Sequence, residues 1–161
     1  MRAPSHAAAG LLLIACGGSE PDQATVEPEV VTLDLASMSE AEQRTALMKL
    51  GETVYKTGGA RGLACQTCHQ EDGKGVPRAF PPLVGQKGHM GDCRRHASIV
   101  LYGLRGQIEV DGLIYNGVMT PQGELLTDLE IAAVITYERL SWGNDYGLCL
   151  PEAVAAARRG K

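Results

Sequence analysis

Residues 65–69 read Cys65-Gln66-Thr67-Cys68-His69, and each fixed letter has a chemical use. Two thiols three positions apart can add to the two vinyl groups on one porphyrin edge. The histidine directly after them then lies beneath the iron and ligates it through its imidazole. The pattern therefore predicts one covalently attached haem c. Zinc would need four ligands, and Cys93, His96 and Cys149 supply no second pair at matching spacing. A thioredoxin-like pair would follow a strand, whereas Gly58, Gly59 and Gly62 precede this one.

A bound His69 leaves one axial position. Met119, fifty residues on in a Gly/Pro-framed loop, is the candidate; a thioether favours the ferrous state and raises the potential. Its rivals are His89 and Met90, expected in a surface loop, and His96, expected in solvent beside Arg94 and Arg95. A six-coordinate iron has no position for substrate, so its chemistry is outer-sphere electron transfer rather than catalysis. A peroxidase of the bacterial c-type class would need a second Cys-x-x-Cys-His, which the sequence lacks. The gas-binding four-helix class carries its motif near the C-terminus, unlike this chain.

The elements that must position these residues follow from local signals. Ser37 or Ser39 caps a helix to about Thr57, with Glu40 and Glu42 in its first turn and Gly58-Gly59 as its stop. Its inner face includes Leu47, Leu50, Val54 and the pair Gly51 and Tyr55; a mid-helix glycine predicts a close crossing. The Pro81-Pro82 loop could hold a carbonyl rigidly against the second ring nitrogen of His69. A helix is expected from Cys93 to about Leu104. A hairpin follows around Asp111-Gly112 within 108–115, then a loop through Met119 to Pro121. Thr127 and Glu130 form a capping box for a helix to about Ser141, and Pro151 starts a short last helix through Arg159. The fold class is mainly all-α: helices around one haem, with a short hairpin before the methionine loop.

Residues 1–15 hold Arg2 and an apolar run from Ala7 to Ala15, the form of an export signal too short to span a bilayer. Leu13-Ile14-Ala15-Cys16 resembles a bacterial lipoprotein cleavage box, which would place lipid on Cys16; the alternative is an ordinary signal with an incidental cysteine. Gly17 is no inner-membrane retention signal, so the anchor is expected in the outer membrane of a cell that has one. Residues 16–37 read as an acidic flexible tether, with a reach of about 25 Å, and 38–161 as one domain.

The chain carries 15 basic and 19 acidic side chains. From residue 44 onward the counts are 14 and 12, so the domain is near neutral and gives no sign of a nucleic-acid partner. Aromatics make up 4%, a thin supply for a small core unless a porphyrin contributes apolar area. Of five cysteines, Cys93 and Cys149 are the remainder after lipid and haem. A disulfide between them is expected in an oxidising compartment, the alternative being two buried thiols.

The order helix, Cys-x-x-Cys-His, Pro-Pro-Leu loop, helix, hairpin, Met loop, terminal helix resembles a class I c-type cytochrome of the single-haem bacterial type. The likeness is carried by 73–77 (Gly-Lys-Gly-Val-Pro), 80–83 (Phe-Pro-Pro-Leu), 115–119 (Tyr-Asn-Gly-Val-Met) and 141–144 (Ser-Trp-Gly-Asn). It implies that Cys65 and Cys68 bond the porphyrin, with His69 and Met119 as axial ligands. It further implies that Pro81 gives its carbonyl to His69, Leu83 packs on the haem, and Gly51 and Tyr55 meet Tyr137. Thr120 stands where members of the family often have proline, and Cys93 and Cys149 lie outside the general pattern. The implied role is an exported, membrane-tethered electron carrier between redox proteins, or the electron-transfer subunit of a dehydrogenase or terminal oxidase. Lys74, Arg78 and Lys87 are placed to ring the exposed haem edge and steer partners.

Overall fold

The computed structural model describes residues 31–160. The signal segment, Cys16 and most of the tether lie outside the described residues. Helix α1 spans Glu40–Thr57, with Ser39 and Glu42 closing a reciprocal capping box. Gly58, at φ 84°, ends the helix and returns its N–H to the Val54 carbonyl. Helix α2 is the single turn Gln66–His69 and α3 the single turn Lys87–Met90. Helix α4, Cys93–Tyr102, is capped by the Asp92 carboxylate, which accepts from the Arg95 N–H at 2.7 Å.

Four short strands follow. β1 (Leu104–Arg105) pairs antiparallel with β4 (Val118–Met119), bringing Leu104 opposite Met119. Between them β2 (Ile108–Val110) and β3 (Leu113–Tyr115) form the hairpin, turning at Asp111-Gly112 with both φ values positive. Helix α5 runs Asp128–Leu140 behind the Thr127/Glu130 capping box, and α6 runs Pro151–Arg159 with the proline in its first turn.

The frame is the crossing of α1 and α5. A Cβ at Gly51 would stand 2.1 Å from the Ala133 carbonyl oxygen and 2.7 Å from Tyr137 Cβ, so the axes approach as closely as a bare backbone permits. Tyr55, Tyr137 and Trp142 pack beside the crossing with ring centroids 5.2–5.6 Å apart. The core continues through Val54, Ile131, Val134 and Ile135 to Val100, Leu101 and Val154 on α4 and α6.

Two polar side chains tie loops to this frame. Arg139, 3% exposed, has no carboxylate partner among the described residues. Its guanidinium instead donates to the carbonyls of Met90, Gly91, Tyr146 and Gly147, fixing the end of α3 and the chain after α5. Burial pulls its pKa down, and four carbonyl acceptors compensate the charge. Asn144 donates to the Leu83 and Glu138 carbonyls and accepts from the Gly85 N–H, pinning the Pro-Pro-Leu loop to α5. Cys93 and Cys149 lie with Cα atoms 5.5 Å apart and sulfurs at bonding distance, between α4 and the entry to α6.

Several expectations change, among them the loop through Met119, which forms strand β4 instead. Met90 is buried rather than on a surface loop, because Arg139 draws the α3 turn inward. His96 is 4% exposed rather than solvated; the cap at Asp92 sets a helical phase in which His96, Ala97, Val100 and Leu101 share the buried face. Helix α4 also stops at Tyr102, since Gly103 at φ 73° turns the chain into β1.

Candidate haem site

An apolar cavity of about 190 Å³ lies between α2, the Pro81–Leu83 loop, α4 and β4. One ordered water needs only ~10–15 Å³, so the fold encloses room for something much larger. Its wall includes both thiols of the motif, His69, Met119, Pro81 and Leu83.

His69 is held at three atoms. Its N–H donates to the Cys65 carbonyl at 2.9 Å, and its own carbonyl accepts from the Gly75 N–H at 2.9 Å. Its Nδ1 lies 2.9 Å from the Pro81 carbonyl oxygen. A carbonyl can only accept, so Nδ1 carries the ring proton and Nε2 keeps its lone pair for a metal. The next residue completes the clamp. Gln70 adopts φ 63°, ψ 163°, a region costly for any residue but glycine, and turns its carbonyl to the Tyr55 hydroxyl at 2.6 Å. The α1–α5 crossing is thereby joined to the ligand turn through one tyrosine.

Cys65 and Cys68 are both free thiols. Burial, and after it the negative field of Glu138, pushes the Cys65 thiol up.

Met119 is positioned by its strand pairing and by a close approach at Gly103, where a Cβ would stand 2.3 Å from the Met119 carbonyl oxygen. Gln122 links this loop to the thiol side. Its side chain accepts from the Leu63 N–H at 2.9 Å and donates to the Thr120 carbonyl at 3.1 Å, while its backbone N–H reaches Val100. Sequence reasoning passed over Gln122; a lone glutamine in a loop carries no spacing signal. Met90, His89 and His96 line the same cavity, so the structure brings the rival ligands near the site rather than away from it.

The basic ring expected at the mouth is less prominent than an apolar one. Leu63, Phe80 and Val118 line the cavity and are 56%, 39% and 57% exposed, while Lys74 is turned to Asp72 at 3.1 Å.

A void of this size, two half-buried thiols on its wall, a histidine with its metal-binding nitrogen free and a thioether fit a covalent haem. Among the described residues no cluster of three or more His, Cys, Asp or Glu side chains is arranged for a metal ion alone.

The family model for cytochrome c matches residues 48–139. The chain is 42% identical over 99 residues to a cytochrome c-552 of Thermus thermophilus, covering 58% of this chain and 66% of that protein. It is 45% identical over 84 residues to a second Thermus thermophilus cytochrome c-552, covering 50% and 63%. It is 35% identical over 105 residues to the cytochrome c subunit of a quinone alcohol dehydrogenase from Gluconobacter oxydans, covering 64% of this chain but 22% of that one. The chain thus spans slightly less than two thirds of the cytochromes c-552 that it matches. With more than half of its own length matched by the family model, the chain belongs to the cytochrome c family and is a class I c-type cytochrome carrying covalent haem c.

Proposed function

We propose that this protein is a mono-haem electron carrier, with Cys65 and Cys68 as thioether attachments and His69 and Met119 as axial ligands. The observation that carries the reading is the His69 Nδ1 contact to Pro81, which leaves Nε2 free toward a cavity walled by Met119. Bound haem supplies a reversible one-electron couple. The chain's own residues do the rest. Pro81 fixes the imidazole tautomer, Leu83 and the other apolar wall residues keep water from the cavity, and Gln122 holds the two ligand loops at a constant separation. Leu63, Phe80 and Val118 frame the mouth through which an electron reaches a redox partner.

The reading extends to the rest of the chain. Residues 1–15 act as an export signal, Cys16 as a lipid attachment, 16–37 as a tether and 38–161 as the electron-transfer domain at a membrane surface on the exported, periplasmic side. The apolar run and the Leu13-Ile14-Ala15-Cys16 string support this, and among the described residues no helix is long and apolar enough to cross a membrane. A disulfide between Cys93 and Cys149 fits an oxidising compartment and the 5.5 Å Cα separation. A second reading, an electron-transfer subunit of a dehydrogenase complex, is favoured by the similarity to the alcohol dehydrogenase cytochrome subunit.

The test is the optical spectrum of the purified ferric and ferrous protein, with and without CO. A near-infrared charge-transfer band of a Met-ligated ferric haem and no CO binding is the expected result. A high-spin spectrum that binds CO would overturn the reading. Stable co-purification with a dehydrogenase would select the subunit role.

A further inference from the structure

The cavity wall away from the mouth holds an ionisable pair that haem attachment does not use. His96 of α4 and Glu138 of α5 face each other with Nε2 3.0 Å from Oε2; both side chains are 5% exposed, and both residues line the cavity. The buried residues around them on these helices are mostly apolar, among them Ala97, Val100, Ile131 and Val134. A pair in such a place contributes little net stability, and apolar residues of similar volume commonly serve a fold as well or better. Nor is it a closed structural network. His96 Nδ1 is buried without a hydrogen-bond partner among the described residues. Its field does reach the site: Glu138 acts on the Cys65 thiol and on the Tyr55 hydroxyl, second in each case only to burial.

We infer that His96 and Glu138 together form a proton site coupled to the oxidation state of the haem, so that the protein takes up a proton when it accepts an electron. The inference rests on the haem placement of the preceding subsection. Reduction adds one electron from a redox partner and lowers the charge of the iron centre by one. One proton from bulk water on the couple restores the charge of the interior, and reoxidation returns both. In an interior of low effective dielectric each event favours the other. By linkage, a site that holds its proton more tightly in the reduced protein makes the protein hold its electron more tightly at low pH. The potential therefore falls as pH rises through the titration of the couple, which belongs to the pair and not to either residue.

The other ionisable side chains on the surrounding elements are engaged elsewhere, exposed or on the cavity wall. On α4, Asp92 caps the helix, and Arg94 and Arg95 are exposed. On α5, Arg139 is engaged with carbonyls, and Tyr137 sits in the aromatic cluster beside Tyr55 of α1. On α6, Arg158 pairs with Asp128, while Glu152 and Arg159 are exposed. Cys65, Cys68 and His69 are committed to haem. Tyr115 of β3 and His89 of α3 share the cavity wall, so a variant of His89 serves as the control.

The experiment is spectroelectrochemical titration of the haem-loaded full chain from pH 5 to 9, for wild type, E138Q, H96Q and H89Q. In wild type the reduced-to-oxidised ratio at fixed ambient potential should change by up to tenfold per pH unit over part of the range, 59 mV for one electron. E138Q, which keeps size and polarity, should flatten the dependence with an unchanged low-spin spectrum; H96Q should do the same, and H89Q should keep the wild-type slope. A pH-independent wild-type potential, a wild-type slope retained in E138Q, or a slope lost only in H89Q overturns the inference. Those results come with a normal one-electron couple. Its absence, or CO binding by the protein as isolated, would instead refute the carrier reading.

Discussion

The two walls of the haem cavity are built on opposite principles. The mouth is made of loops and a two-residue strand, and it presents Leu63, Phe80 and Val118 to solvent. The rear is made of two capped helices, and it buries His96 against Glu138. Apolar groups stand where water has access and an ionisable pair where it has none, the reverse of ordinary partition. A wall that meets partners gains from surface that sheds water readily, while a wall that sets the haem environment gains from charges whose field water does not screen. The difference assigns exchange to one side and tuning to the other.

The largest expected break in this comparison comes from the mouth side. Met119→Ala should leave haem covalently attached, admit CO and lower the potential by on the order of 0.1 V or more, within the ~0.8 V that axial ligands span. Met90→Ala, made on α3, should do none of this; CO binding by the Met90 variant and not by Met119→Ala would reverse the ligand assignment. Next is the joint on which both walls hang. Gly51→Val places its Cβ against the Ala133 backbone and should cost about 3 kcal/mol or more, read by denaturant unfolding; a wild-type midpoint would show that the crossing yields. The double variant Cys93→Ser/Cys149→Ser should cost about 2–4 kcal/mol while the haem spectrum and the Met119 ligation stay unchanged. A shifted spectrum would mean that the bridge region shapes the cavity. The smallest effect on stability belongs to the rim: Val118→Lys should change it by less than about 0.5 kcal/mol, yet slow electron exchange with a redox partner and make that rate depend on salt. An unaltered rate would remove Val118 from the contact surface.

How far each wall could be read from sequence follows the same division. The attachment motif and the hairpin turn announce themselves, because covalent attachment demands fixed letters at fixed spacing and the turn demands Asp111-Gly112, whereas the apolar rim of Leu63, Phe80 and Val118 carries no pattern of its own. The capping box at Thr127 and Glu130 is equally plain, being contained within four residues. The rear wall depends on helical phase. Asp92 sets the start of α4, and from there His96 falls at the same face as Val100; the flanking Arg94 and Arg95 mask that phase with charge. Met90 and Gly91 are held by Arg139 across 49 and 48 residues, tertiary bonds with no local pattern. The pairing of Leu104 with Met119 was missed for a related reason, since a two-residue strand has no period to detect.

The triple hold on His69 has a kinetic consequence. Electron exchange between proteins is slow when the donor and acceptor must change shape to match each other's energy before the electron moves. A ligand whose backbone is gripped at both ends, and whose ring is tethered by Pro81, has little shape to change, so it adds almost nothing to that waiting time. With His69 as the proposed ligand, exchange would be limited by how often partners meet the mouth and how long they stay.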